Sequence, residues 1–195
     1  MTNKSSMSNR FNSHDRVGQY SMATLTHHIF EELEGRYGPP ERHWTLLNVE
    51  VDPRGPCIQF LDGSVPEATI LLSLRTEDSF SRTLYELAYG CVHLLSRTKP
   101  DRRSVLQEGA AVVFADDYVA EFGLHAQIAS APGQEAARCV CELLAAHQGA
   151  IYELRKVEPA FERMSFETFQ CAGLSEVPIS LQTVLLQPLS SYGEI

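Results

Sequence analysis

The chain has 195 residues, of which 44% are apolar, enough to bury a core without metal or disulfide staples. Its 25 acidic and 16 basic residues give a formal charge of −9, which excludes an electrostatic grip on nucleic acid or on an anionic membrane. No apolar run approaches the roughly 20 residues that span a bilayer, and the N-terminal stretch has no signal-type apolar region, so the sequence predicts a cytoplasmic protein. The five cysteines (Cys57, Cys91, Cys139, Cys141 and Cys171) contain no CxxC pair and are expected as reduced thiols packed in the core, with Cys139 and Cys141 facing different ways on one helix.

In chain order, residues 1–20 are rich in Ser and Asn and short of large apolar groups, and they are expected to form a flexible leader ahead of a single domain over 21–195. From Met22 to Tyr37, Leu25, Ile29 and Leu33 recur at fourfold spacing before Gly38-Pro39-Pro40, which predicts a helix with a defined end. Residues 43–74 switch to short β-rich runs (HWTLLNVEV, CIQFL and ATILLSL) separated by turn residues, which predicts a meander of about three strands. Helical periods follow at about 79–97, 104–121, 133–147 and 158–171, and the last twenty residues read equally as strand or loop. Helix, strands, helices is the order of an α+β protein.

Two of these helices carry the chemistry. At about 100° per residue, Leu84, Leu87, Ala88, Cys91, Leu94 and Leu95 share one broad face, and Glu86, Tyr89, Gly90, His93 and Arg97 share a narrow opposite arc. A glycine inside a helix costs up to about 1 kcal/mol relative to alanine, so Gly90 points to a close approach by a neighbouring chain or a ligand. After the basic loop RTKPDRR, Ser104 and Gln107 have capping-box spacing, and Glu108 falls on the apolar stripe of Ala111, Val112, Ala115, Val119 and Phe122, where a carboxylate needs a partner.

The stretch LYELAYGCVHLLSRTKPDRRSVLQEGAAVVFADDY resembles the zincin metallopeptidases, in their gluzincin branch. The resemblance implies a zincin-like fold and covers about residues 68–120. It puts Tyr89 at the first His of HExxH, Gly90 at the general-base Glu, His93 at the second His, and Glu108-Gly109-Ala110-Ala111 at the glutamate-helix motif; ATILLSL resembles the edge strand that lines the substrate cleft. Catalytic zinc keeps three protein ligands and an open water position. Only His93 and Glu108 of that set remain, a phenol keeps its proton to about pH 10, and Gly90 offers no carboxylate to activate water. Neither zinc nor any other cofactor is therefore expected, and Tyr89 is expected to fill the metal's place while His93 contacts Glu108. The implied function is that of an inactive pseudo-metallopeptidase that binds a protein or peptide partner at a cleft bordered by Glu86, Tyr89, His93 and Glu108, by strand addition. The alternatives are an atypical metal-dependent hydrolase drawing ligands from Glu86, His93, Glu108 and His125, and a structural or regulatory subunit with no ligand site. His27-His28 and Asp116-Asp117 read as solvated surface groups, and Cys91 as core rather than nucleophile.

Overall fold

A computed structural model of the chain describes residues 21–61, 66–74, 79–126 and 128–189; the expected leader over 1–20 lies outside them. Among the described residues the fold is α+β, with seven α-helices and a three-stranded mixed sheet. Helix α1 (Met22–Tyr37) starts where the Ser21 hydroxyl accepts the Thr24 backbone N–H, and it buries Leu25, Ile29, Leu33 and Tyr37 at fourfold spacing. It stops at Gly38, whose φ of 84° suits a residue without Cβ.

The sheet departs from a meander. Strands β1 (Thr45–Val51), β2 (Cys57–Leu61) and β3 (Glu67–Leu72) lie in the order β1-β3-β2, with β1 parallel and β2 antiparallel to β3. The strand expected at the edge, β3, is therefore the central one. Its apolar run Ala-Thr-Ile-Leu-Leu, with Ala68, Ile70, Leu71 and Leu72 fully buried, is the pattern of a strand covered on both faces. Among the described residues the edge strands are β1 and β2.

Helix α2 (Phe80–Leu94), capped by Ser79, lies against this sheet and against α3 (Val105–Glu121). Both arcs of α2 are consequently covered: Glu86, Gly90 and His93 are buried as well as the apolar face. Ser104 caps α3 by accepting the Gln107 N–H at 3.2 Å, but the Gln107 side chain reaches back to the Ser96 carbonyl instead of completing a capping box. Gly109 has a packing reason of its own. A Cβ there would run into the carbonyl oxygen of Ala136 and lie 2.6 Å from its carbon, so only glycine lets α4 (Ala131–Ala146) approach α3 this closely.

The single helix expected over 158–171 is not formed. Helix α5 (Ala150–Val157) ends ahead of Pro159, a 3₁₀ turn spans Phe161–Arg163, and α6 (Phe166–Cys171) restarts at a capping box between Ser165 and Thr168. Within the ambiguous C-terminal stretch lies α7 (Ile179–Leu186), which buries Leu181, Gln182 and Leu185 at helical spacing against α3 and α4. Its apolar residues occur all round, so no one-sided period marks it in the sequence. The cysteines are free; only Cys91 and Cys139 are buried, Cys57 is half-buried, and Cys141 and Cys171 are exposed, so the expectation of core thiols holds for two of five. No helix among the described residues is long and apolar enough to cross a membrane.

Candidate functional site

The α2–α3 pair brings three of the expected site residues together. Tyr89 and His93, one turn apart on α2, meet edge to face with ring centres 4.7 Å apart, and Glu108 projects toward both from the first turn of α3. The Tyr89 hydroxyl donates to Glu108 Oε1 at 2.7 Å, while His93 Nε2 stands 3.8 Å from Oε2. That second distance is too long for a hydrogen bond. Nor is it an ion pair, because burial, reinforced by the nearby Arg103 cation, holds the imidazole well below its ordinary pKa and keeps it neutral. The expected His93–Glu108 bond is thus replaced by Tyr89–Glu108.

The electrostatics follow from burial. Desolvation raises the Glu108 carboxyl pKa, opposed by the Tyr89 hydrogen bond and by Arg103. Desolvation also raises the Tyr89 phenol, with the Glu108 charge adding to it, so the phenol is a donor and not a ligand at neutral pH. Both ring nitrogens of His93, which is 3% exposed, lack a hydrogen-bond partner.

Glu86 lies on the arc as expected but is occupied elsewhere. Its oxygens accept from the Ser73 N–H at 2.7 Å, the Ser73 hydroxyl at 2.6 Å and Arg82 Nε at 3.1 Å, which fastens the end of β3 to α2. His125 lies beyond the opposite end of α3 from Glu108, past roughly 20 Å of helix at 1.5 Å per residue, and is exposed, so it cannot complete a ligand set. Gly90 is explained by close packing: a Cβ would meet Ile58 Cδ1 and Ile70 Cγ2, both at 3.2 Å. The position expected for a general base therefore faces the sheet at contact distance.

The cleft itself is bounded by Pro56, Cys57 and Ile58 of the β2 side, by Glu86, Tyr89 and His93 of α2, and by Arg103. It holds no space for a water molecule. Arg103 is the residue that sequence reasoning passed over, visible there only as one charge of a basic loop. Zinc, which the resemblance implies, does not fit these residues: one neutral imidazole, one carboxylate already accepting from a phenol, and no third donor. Among the described residues no three His, Cys, Asp or Glu side chains gather as a metal set. No family model matches the chain, and no curated protein or solved structure matches it either.

The state of His93 gives stability a pH dependence. Its folded pKa lies well below the unfolded value of about 6.5, so its contribution is present above that value and is lost progressively as the pH falls through it. Glu108, with its folded pKa raised, acts in the opposite sense. Urea midpoints of wild type and His93→Gln should therefore diverge between pH 7.5 and 5.5, the variant losing less. Parallel curves would mean that His93 is not held neutral.

Proposed function

We propose that this is a zincin-like protein whose metal centre has given way to a Tyr89–Glu108 hydrogen bond beside a neutral His93, and that it acts by binding an extended protein or peptide segment rather than by cleaving one. The observation that carries the reading is the 2.7 Å bond from the Tyr89 hydroxyl to Glu108 Oε1, which commits the residue at the third-ligand position to the residue at the first. With Gly90 pressed against Ile58 and Ile70, no carboxylate stands where water would be activated. Hydrolysis would need both.

Support for segment binding comes from β2. It pairs with β3 on one side only among the described residues, it borders the cleft at Cys57 and Ile58, and so it takes the edge role that the resemblance gave to β3. An edge strand offers backbone N–H and C=O groups to an added strand without any metal.

Panning a library of random short peptides on the purified chain should return binders that slow amide hydrogen exchange across residues 57–61. A library that returns none, or binders that leave β2 exchanging at its free rate, would remove this reading in favour of a structural subunit without a ligand site.

A further inference from the structure

We propose that the cavity between the 3₁₀ turns Pro100–Arg102 and Phe161–Arg163 binds a small zwitterion with an apolar tail, the chemistry of a free apolar amino acid. The cavity shares no lining residue with the cleft at β2, so the inference stands independently of the segment-binding reading.

Unlike that cleft, this cavity opens to solvent and has room. Its volume is about 350 Å³, at the small end of sites that hold metabolites. Hydrogen bonds fix its walls. The Val105 N–H donates to the Gln187 carbonyl at 2.9 Å and the Leu189 N–H to the Arg103 carbonyl at 2.7 Å, which pins the segment after α7 to the start of α3. On the opposite wall the Phe161 N–H donates to the Ser96 hydroxyl at 3.2 Å. A ligand therefore meets a formed cavity and does not have to order its walls.

The floor is apolar. Phe161 is 1% and Met164 7% exposed, and Leu186 and Pro188 complete it. The rim carries charge of both signs. Arg163 is already paired there, with Nη2 at 2.9 Å from Glu41 and 3.0 Å from Glu158. Asp101, Arg102 and Glu162 are exposed, and among the described residues none of their side chains makes a hydrogen bond or ion pair. One unpaired cation and two unpaired carboxylates thus border a single apolar floor.

Each feature selects part of a ligand. The fork of N–H groups on Arg102 matches a carboxylate, Asp101 and Glu162 match an ammonium, and the floor takes an apolar side chain. Net charge narrows the choice further. A chain of formal charge −9 repels an anionic metabolite at long range, and a purely cationic one would meet Arg102 at the rim; a zwitterion escapes both penalties.

Titrating the full chain with L-leucine should produce saturable amide NMR shifts at residues 101–104 and 161–164, with a dissociation constant on the order of 1 mM. L-alanine, which leaves the floor empty, should bind at least about tenfold more weakly. Leucinamide, without the carboxylate, and 4-methylpentanoate, without the ammonium, should each bind about fivefold more weakly than leucine. Arg102→Gln should weaken leucine about fivefold without weakening leucinamide, and Asp101→Asn combined with Glu162→Gln should do so without weakening 4-methylpentanoate. All three side chains are exposed, so these variants should fold as wild type. No saturable shift up to about 50 mM leucine, leucinamide binding as tightly as leucine, or variants that weaken all the ligands alike would each overturn the inference.

Discussion

Replacing Arg155 with alanine should lower the stability of the fold by about 4 kcal/mol, the largest effect expected of any single substitution described above. Arg155, on α5, is 4% exposed and has no carboxylate against it. Its guanidinium instead donates to five carbonyl oxygens: Nε to Pro159 at 3.2 Å, Nη1 to Tyr37 at 2.8 Å and Gly38 at 3.0 Å, and Nη2 to Pro39 at 2.8 Å and Leu95 at 3.3 Å. One side chain thereby closes the C-terminal ends of α1 and α2 and the turn after α5. The Leu95 carbonyl also accepts the Glu41 N–H at 2.8 Å; the other four lie at or just beyond helix ends, and each would cost about 1–3 kcal/mol if buried unpaired, partly relieved by water entry. Desolvation lowers the Arg155 pKa to about 10, with distant Glu41 opposing, and the group still stays charged at neutral pH. The Phe161 ring, 5.4 Å from the guanidinium carbon, covers the cation. Lysine keeps the charge but cannot fork toward two directions, so Arg155→Lys should recover only about half of the loss. Thermal unfolding should fall by roughly 10 °C in the alanine variant. A loss below about 1 kcal/mol, or a lysine variant equal to wild type, would show that the five bonds contribute little net stability.

This hub was invisible in the sequence, whereas the site helices were legible, and the difference is physical. The helices α2 and α3 announce themselves through local signals: Ser79 and Ser104 as caps, apolar residues at three- and fourfold spacing, and two short-range positions, His93 and Glu108, whose convergence follows once the helices pack. Four of the five carbonyls that Arg155 holds lie sixty or more residues away in sequence, and no residue type marks a carbonyl as open. The sheet order failed for the same reason. Strand pairing is a long-range choice, and spacing along the chain suggested neighbours where β3 in fact inserts between β1 and β2. One signal was available and went unused: ATILL is apolar on both faces, unlike the mixed TLLNVEV and CIQFL, and that contrast marks the central strand. Gly90 was legible as a close approach but not as to what approaches, since Ile58 and Ile70 belong to two different strands. The Tyr89–Glu108 bond was missed because wheel geometry places side chains on faces and says nothing of how far a phenol reaches.

An imidazole placed at position 89 should create a metal site if the zincin-like reading is right. In Tyr89→His, residues 89 and 93 would stand one turn apart on α2, facing the Glu108 carboxylate that the phenol has released. His93 Nε2 and Glu108 Oε2 are already 3.8 Å apart, close to the separation of two donors that each sit about 2.0–2.2 Å from one zinc ion. Only a small closure is required, and removing the Tyr89 ring frees the space for it. Zinc at a thousandfold excess over its dissociation constant should then stabilise the variant by about 4 kcal/mol, an effect reversed by a chelator and weakened below about pH 6.5 as the imidazoles protonate. The wild-type chain under the same conditions should show no zinc-dependent shift. A folded Tyr89→His protein that stays indifferent to zinc would remove most of the support for the zincin resemblance. Near-stoichiometric zinc on the wild-type chain, lost in His93→Gln, would instead revive the hydrolase reading. Adding Gly90→Glu probes the other half of the chemistry separately, because the new side chain must displace Ile58 and Ile70 by a few tenths of an ångström before its carboxylate can reach a metal-bound water. Metal binding without hydrolysis in that double variant would locate the remaining obstacle at the α2–sheet contact rather than in the ligand set.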